Sequence, residues 1–310
     1  MNTKLDLKSL KVLVADDSRL VCNSIAVILR EIGFISGNII CAYKPIDAIN
    51  HCKNYCFDVV ICDYNFNSKL NGYQLLDELR HMQLLASHVF FVFLTGENQP
   101  KIVRSIIDGE PDDYLLKPFN KPFFSSRLYS GLQRKQSLSS IYSALHKQSY
   151  QLAIDEAELL QPFFPKYALT IGTLKARALM ALKNFDEAVQ EYESLLQVYD
   201  NDLLKARMAH SLVAKGDRDR ACEVLATLEN QENNPYYHDI RASMSIQSGD
   251  LPDAILHLKK ATLLMEVGAE RELIISNLSL ALEQYEDAFN YIKQYAEKTR
   301  VPTVIANIFR

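Results

Sequence analysis

Up to about residue 125, apolar runs of four to six residues alternate with longer amphipathic stretches; beyond it such runs stop. The runs place strands at 11–16, 38–42, 57–62, 89–94 and 113–117, with helices expected at 18–33, 45–55, 72–85, 98–108 and 121–146. Near-continuous Val, Ile, Leu and Phe within each run means strands covered on both faces, the pattern of a parallel sheet built from βα units. Five such units fit an open, doubly wound sheet whose ligand crevice lies over the carboxyl ends of the strands.

Those ends carry chemistry. Asp16 and Asp17 close the first apolar run, Asp63 the third, Thr95 the fourth and Lys117 the fifth. Although 46, 32 and 22 residues apart (17 to 63, 63 to 95, 95 to 117), they converge in such a sheet. Carboxylates gathered at 4 Å repel by roughly 4 kcal/mol per pair at an effective dielectric of about 20, so the cluster calls for a cation. It reads as a Mg²⁺ site for phosphoryl chemistry, because Mg²⁺ prefers hard oxygen ligands.

Composition excludes other classes. With 48% apolar and 23% charged residues the chain is neither disordered nor membrane-like, and its longest apolar stretch, Ser87 to Thr95, is too short to span a bilayer. Charges at Lys4, Asp6 and Lys8 leave no signal peptide, and a cytoplasmic location is expected. A net charge of −4 argues against nucleic-acid binding, and Arg134-Lys135 is too small a basic cluster to change that. The six cysteines lack CxxC pairs and read as free thiols. Cys52 and Cys56 share a helix face that could offer two thiolates to a metal, but free thiols in a reducing compartment are the expected reading.

After residue 125 a repeat appears. Ala153, Ala188, Ala221, Ala254 and Ala288 are spaced by 35, 33, 33 and 34, each at the end of a similar five-residue segment such as Asn184-Phe-Asp-Glu-Ala. Ala176, Ala209 and Ala242 recur 12 positions earlier than three of them. Gly216-Asp217 and Gly249-Asp250 supply turns between paired helices. Small residues at fixed positions let helices approach closely, and hairpins that cannot bury their apolar faces alone can do so by stacking.

On Ala176, Phe185, Ala188 and Tyr192, residues 149–310 resemble the tetratricopeptide repeat. The match departs from the family elsewhere: there is no Trp, Pro165 alone keeps the closing proline, and Arg218 replaces an aromatic. About five repeats are expected from roughly 138 to 300, with the tail Pro302–Phe309 as a capping helix. The first 120 residues resemble the receiver domain of two-component response regulators, on Asp16-Asp17, Asp63, Thr95-Gly96-Glu97, Asp113-Tyr114 and Lys117-Pro118-Phe119. The fold class expected is thus α/β, then all-α.

The receiver resemblance implies that Asp63 accepts a phosphoryl group from the phosphohistidine of a sensor histidine kinase or phosphotransfer protein. Asp16, Asp17, Asp63 and the backbone carbonyl of Asn65 would hold Mg²⁺. Lys117 would pair with the carboxylate and later with phosphoryl oxygens, and Thr95 and Tyr114 would carry the switch. Asn65 and Glu97 occupy positions that tune hydrolysis, and Lys117-Pro118 is a candidate cis peptide. One departure is the loop Tyr64–Gly72, which lacks the usual proline and is read as one residue longer.

The domains are read as receiver 1–125, connecting helix 126–148 and repeats 149–310. Phe123 to Tyr142 is expected as one helix joining them, with Gly131 as its weak point. The repeats carry no catalytic constellation: His210, His238 and His257 lack metal-ligand partners and read as packing or surface residues. The expectation is a signalling protein rather than an enzyme on a separate substrate, whose repeats bind an unidentified downstream protein. A homodimer through the fourth helix, last strand and last helix of the receiver is a further expectation. The alternative is a phosphate sink competing for a shared kinase, with repeats serving only localisation. A haloacid-dehalogenase-like hydrolase is disfavoured because Asn65 stands where that family places a second aspartate.

Overall fold

A computed structural model describes residues 5–68, 70–265 and 269–299; the tail cap expected at 302–309 lies outside the described residues. The chain divides into two compact units, 1–146 and 147–310. The first holds β1 (Val12–Ala15), β2 (Ile39–Ala42), β3 (Val59–Asp63), β4 (Phe90–Thr95) and β5 (Asp113–Leu116) in one parallel sheet of order β2-β1-β3-β4-β5. Helices α1 (Arg19–Ile32), α2 (Pro45–Asn54), α3 (Gly72–His81), α4 (Pro100–Asp108) and α5 (Lys121–Ser137) connect and follow the strands. Alternation within strands sorts the core onto two faces. Leu13, Val60, Phe91 and Phe93 pack with α2, α3 and α4 residues, whereas Val12, Val14, Ile61 and Phe90 pack with α1 and α5 residues.

Each strand end that matters is pinned by a backbone bond to its neighbour. Asp16 N donates to Ala42 O at 3.1 Å, Tyr64 N to Leu94 O at 3.1 Å, and Lys117 N to Thr95 O at 2.7 Å. Register therefore fixes which side chains share the crevice.

The helix expected over 121–146 is two helices. It breaks at Leu138, and α6 (Ser139–His146) follows within the first unit. Lys135 ties this corner together, with its ammonium 2.8 Å from Asp112 and 4.0 Å from the centre of the Tyr142 ring. Gly131 is not where the helix yields. A Cβ there would run into the ring of Phe90, so glycine is required for α5 to lie close on β4.

The second unit contains α7 (Tyr150–Leu160), α8 (Ala168–Ala181), α9 (Phe185–Leu196), α10 (Asp202–Lys215), α11 (Arg218–Ala226), α12 (Pro235–Ser248), α13 (Leu251–Leu264), α14 (Glu270–Ala281) and α15 (Tyr285–Thr299). The five spaced alanines are each the fourth residue of α7, α9, α11, α13 and α15, and all five are buried. Ala176, Ala209 and Ala242 are buried in α8, α10 and α12. Gly216 and Gly249 close α10 and α12 with φ of 92° and 78°, a left-handed cap that side chains resist.

His238 and His257 are packing residues of a particular kind: their Nδ1 atoms lie 2.9 Å apart in the interior. His238 Nε2 is 3.1 Å from the Glu232 carbonyl oxygen, which can only accept, so this nitrogen carries the proton. With Nε2 turned to that carbonyl, Nδ1 is the ring nitrogen of His238 that faces His257.

The alanine pattern makes a direct test. Ala221→Leu adds volume where α11 meets its neighbours and is expected to cost about 1–3 kcal/mol. Ala214→Leu, at an exposed position of α10, is expected to stay within about 0.5 kcal/mol. Urea unfolding followed by far-ultraviolet circular dichroism separates the two.

Candidate functional site

Sequence dictates the site through where strands stop. β1 ends at Ala15, and the next two residues turn over its carboxyl end before α1 begins. Ser18 caps α1, its hydroxyl accepting from Val21 N at 3.4 Å. Asp16 and Asp17 are thereby released from capping duty. Asp16 Oδ1 accepts from Ser18 N at 2.9 Å, which fixes its carboxylate. Asp63 is the last residue of β3, and Thr95 the last of β4.

Four of the five sequence-predicted positions, Asp16, Asp17, Asp63 and Lys117, meet. One oxygen from each of Asp16, Asp17 and Asp63 lies within 4.8 Å of the others. Lys117 Nζ sits 2.8 Å from Asp16 Oδ2 and 2.9 Å from Asp63 Oδ1, so one ammonium bridges two of three carboxylates. Asp16 and Asp63 are buried at 2% and 8% exposure, and water screens them little. Thr95 is fully buried, and its hydroxyl accepts from Glu97 N at 3.0 Å. Phe93 is the register partner of Tyr114, which places Tyr114 on the same sheet face as Thr95, two residues along. The Lys117–Pro118 bond is cis.

The loop after Asp63 adds contacts that sequence reasoning missed. Asn67 donates to Asp17 Oδ2 twice, from its backbone N at 3.0 Å and its Nδ2 at 2.6 Å. Asn65, expected to offer its carbonyl, also uses its side chain: Nδ2 donates to Glu97 Oε1 at 2.8 Å. Gly72, the first residue of α3, donates to Tyr64 O at 2.7 Å, and a Cβ there would collide with the Asp63 carbonyl. Only glycine lets α3 begin this close to the strand end. Its signal was in the sequence, a Gly within nine residues of the central carboxylate, but nothing in spacing distinguishes it from a turn glycine.

Electrostatics follow from burial. Desolvation pushes the Asp63 carboxyl up to about 6, against the pull of the Lys117 ammonium, with Asp16 and Asp17 adding to the rise. Burial works against the Lys117 charge, but its hydrogen bonds and attraction to Asp16 and Asp63 outweigh it and its pKa moves up. Lysine alone cannot neutralise three carboxylates. The donor set, three carboxylate oxygens in one crevice, fits a hard divalent cation such as Mg²⁺.

Because the folded pKa of Asp63, about 6, exceeds its ordinary 3.8, the folded state binds more protons between those values. Stability contributed at this site is therefore present at low pH and lost as pH rises through 6. A shift of this size is worth about 3 kcal/mol. In EDTA, Asp63→Asn is expected to gain stability over the parent by about 2–3 kcal/mol more at pH 7.5 than at pH 4.5, read from urea midpoints. A constant difference across that range would contradict the burial argument.

The response regulator receiver domain model matches residues 12–128, and a tetratricopeptide repeat model matches 179–244. A probable cyclic di-GMP phosphodiesterase of Vibrio cholerae is 26% identical over 136 residues, covering 43% of this chain and 29% of that protein. The cell cycle transcriptional regulator CtrA of Caulobacter vibrioides is 23% identical over 127 residues, 41% of this chain and 52% of CtrA. A two-component response regulator of Oryza sativa, ORR8, is 36% identical over 61 residues, 20% of this chain and 49% of ORR8. The chain thus spans about half or less of these relatives' length. Among solved structures, the Vibrio cholerae chemotaxis protein CheY4 aligns at 24% identity and TM-score 0.36, covering 40% of this chain and 98% of CheY4. A response regulator from Clostridium difficile aligns at 23% identity and TM-score 0.37, covering 41% and 98%. Residues 12–128 belong to the response regulator receiver domain family and residues 179–244 to the tetratricopeptide repeat family, so the chain joins a receiver to helical repeats.

Proposed function

We propose that Asp63 is a phosphoryl acceptor and that the repeats bind a protein partner according to its phosphorylation state. One observation carries the reading: a lysine ammonium shared by two buried carboxylates, with a third beside them, at the open end of a parallel sheet. An Asp63 oxygen would attack the phosphorus of a phosphohistidine on a sensor kinase or phosphotransfer protein, while the bond from phosphorus to imidazole nitrogen breaks. The product is an aspartyl phosphate and a free histidine. Lys117 then exchanges its bond to Asp63 for one to a phosphoryl oxygen, so the ammonium offsets charge in both states. Asp16, Asp17, Asp63 and the Asn65 carbonyl would hold Mg²⁺, which supplies charge neutralisation at the phosphoryl oxygens.

The remaining roles follow from position. The Thr95 hydroxyl leaves Glu97 N to reach the phosphoryl group, and Tyr114, on the same face of the neighbouring strand, moves into the space released. The Asn65–Glu97 bond joins the two loops after β3 and β4, and separating them governs how readily water attacks the acyl phosphate. In the second unit, an open pocket of about 440 Å³ lies among α9, α10 and α11, lined by Leu196, Met208 and Val224 with Glu193, Lys205 and Glu223 around them. It supports a partner-binding role for the repeats. Among the described residues no helix is long and apolar enough to cross a membrane.

Incubation with acetyl phosphate and Mg²⁺ is expected to add one phosphoryl group, about 80 Da, at Asp63, labile to hydroxylamine. Asp63→Asn should abolish the adduct, and Lys117→Ala should lower its yield at least tenfold and also lower stability, because it leaves two buried carboxylates without their cation. A pull-down from lysate with and without beryllofluoride tests the second half. Identical partners in both states would leave a phosphate sink as the better description.

A further inference from the structure

The open pocket of the second unit lies where the hairpin α8–α9 packs against the hairpin α10–α11. Its floor takes one apolar residue from each of three helices: Leu196 from α9, Met208 from α10 and Val224 from α11. Leu196 and Val224 are only half-buried, so apolar surface is left open to a visiting side chain. A volume of about 440 Å³ falls within the range of ligand sites. The unbranched Met208 thioether adapts to apolar groups of different shape.

Charge around this floor is one-sided. Residues 185–229 hold ten Asp and Glu against five Lys and Arg, a net of −5, whereas the whole chain carries −4. The cations beside the pocket are already engaged. Lys205 Nζ sits 2.6 Å from Asp200 and 3.9 Å from Asp202, and Arg220 is 2.6 Å from Glu193. The hydrogen bond to Asp200, with the attraction of Asp202 and Glu229, raises the Lys205 pKa against the opposing effect of burial. Glu223 stands exposed on α11 and has no ion pair among the described residues. An acidic segment arriving here would meet two cations that carboxylates already hold. A basic segment would meet a free carboxylate beside an apolar floor.

We infer that this pocket docks a basic segment of a partner protein, with an apolar side chain seated on Leu196, Met208 and Val224 and a neighbouring lysine or arginine paired with Glu223. The inference rests on the reading that the repeats bind a protein, and it specifies the chemistry of that protein's docking segment. Apolar contact supplies affinity, while the rim carboxylates select the sign of the flanking charge.

The test offers full-length protein two matched sets of short peptides, each with a central Leu, Met or Phe. One set is flanked by Lys and Arg, the other by Asp and Glu, and retained peptides are identified by mass spectrometry. Basic peptides are expected to be enriched at least tenfold over acidic ones, with an advantage that shrinks as salt rises. Replacing their central residue by serine should abolish retention. Glu223→Lys should cut retention of basic peptides at least tenfold. Glu187→Lys makes the same change of charge at an exposed position of α9 outside the pocket and should leave retention within twofold. The inference is overturned by no enrichment of basic peptides, or by equal losses in Glu223→Lys and Glu187→Lys. Self-association in sedimentation that Glu223→Lys dissolves would also overturn it, since a second copy would then fill the pocket. Any of these leaves the aspartyl phosphate assay untouched. Basic peptides retained through Glu223 equally with and without beryllofluoride support the inference and count only against the phosphorylation dependence proposed above.

Discussion

One ammonium held between two buried carboxylates organises the first unit. Lys117 reaches Asp16 and Asp63 only because β1, β3 and β5 end at the same level, and that level is set by the backbone bonds from Asp16, Tyr64 and Lys117 to neighbouring strands. Remove the ammonium and two carboxylates with at most 8% exposure would face each other with little water between them. Yet a single positive charge leaves the cluster short of neutral, and the raised pKa of Asp63 is the local record of that deficit. A site so arranged favours whatever brings positive charge and oxygen-seeking chemistry together. Without a bound cation, Asp63 is thereby held partly protonated at pH values around 6.

Much of this was legible in the sequence because strand ends are marked chemically. An apolar run followed by Asp, Thr or Lys is hard to produce unless the run is a covered strand and the polar residue lies at its rim. The parallel, doubly wound sheet followed from the alternation of runs and amphipathic stretches. What was not legible lay in the loops and at close approaches. Asn67 holds Asp17 through a loop whose path spacing alone does not give. Gly72 read only as the end of a loop and Gly131 as a weak helix position, whereas each is a place where two backbones or a backbone and a ring come too near for a Cβ. The break at Leu138 was hidden because helix periodicity continues through it and the deciding contacts of Lys135, with Asp112 and Tyr142, come from residues apart in sequence.

The repeats show the same division. Alanines spaced by 33 to 35 residues are visible because a fixed helical hairpin needs a small residue at one fixed position, and each proves to be the fourth residue of its helix. The His238–His257 pair was invisible, since two histidines 19 residues apart carry no pattern. Their hydrogen bond satisfies the facing Nδ1 atoms of two buried rings at once, between α12 and α13.

The most direct test of the account is the ionisation of Asp63 itself, followed by carboxyl ¹³C NMR, first in EDTA and then in Mg²⁺. The account predicts a midpoint near 6 without divalent ions, which falls by at least one unit when Mg²⁺ is added and stays put in Asp17→Asn. A midpoint near 3.8 in EDTA, or one indifferent to Mg²⁺, would contradict it.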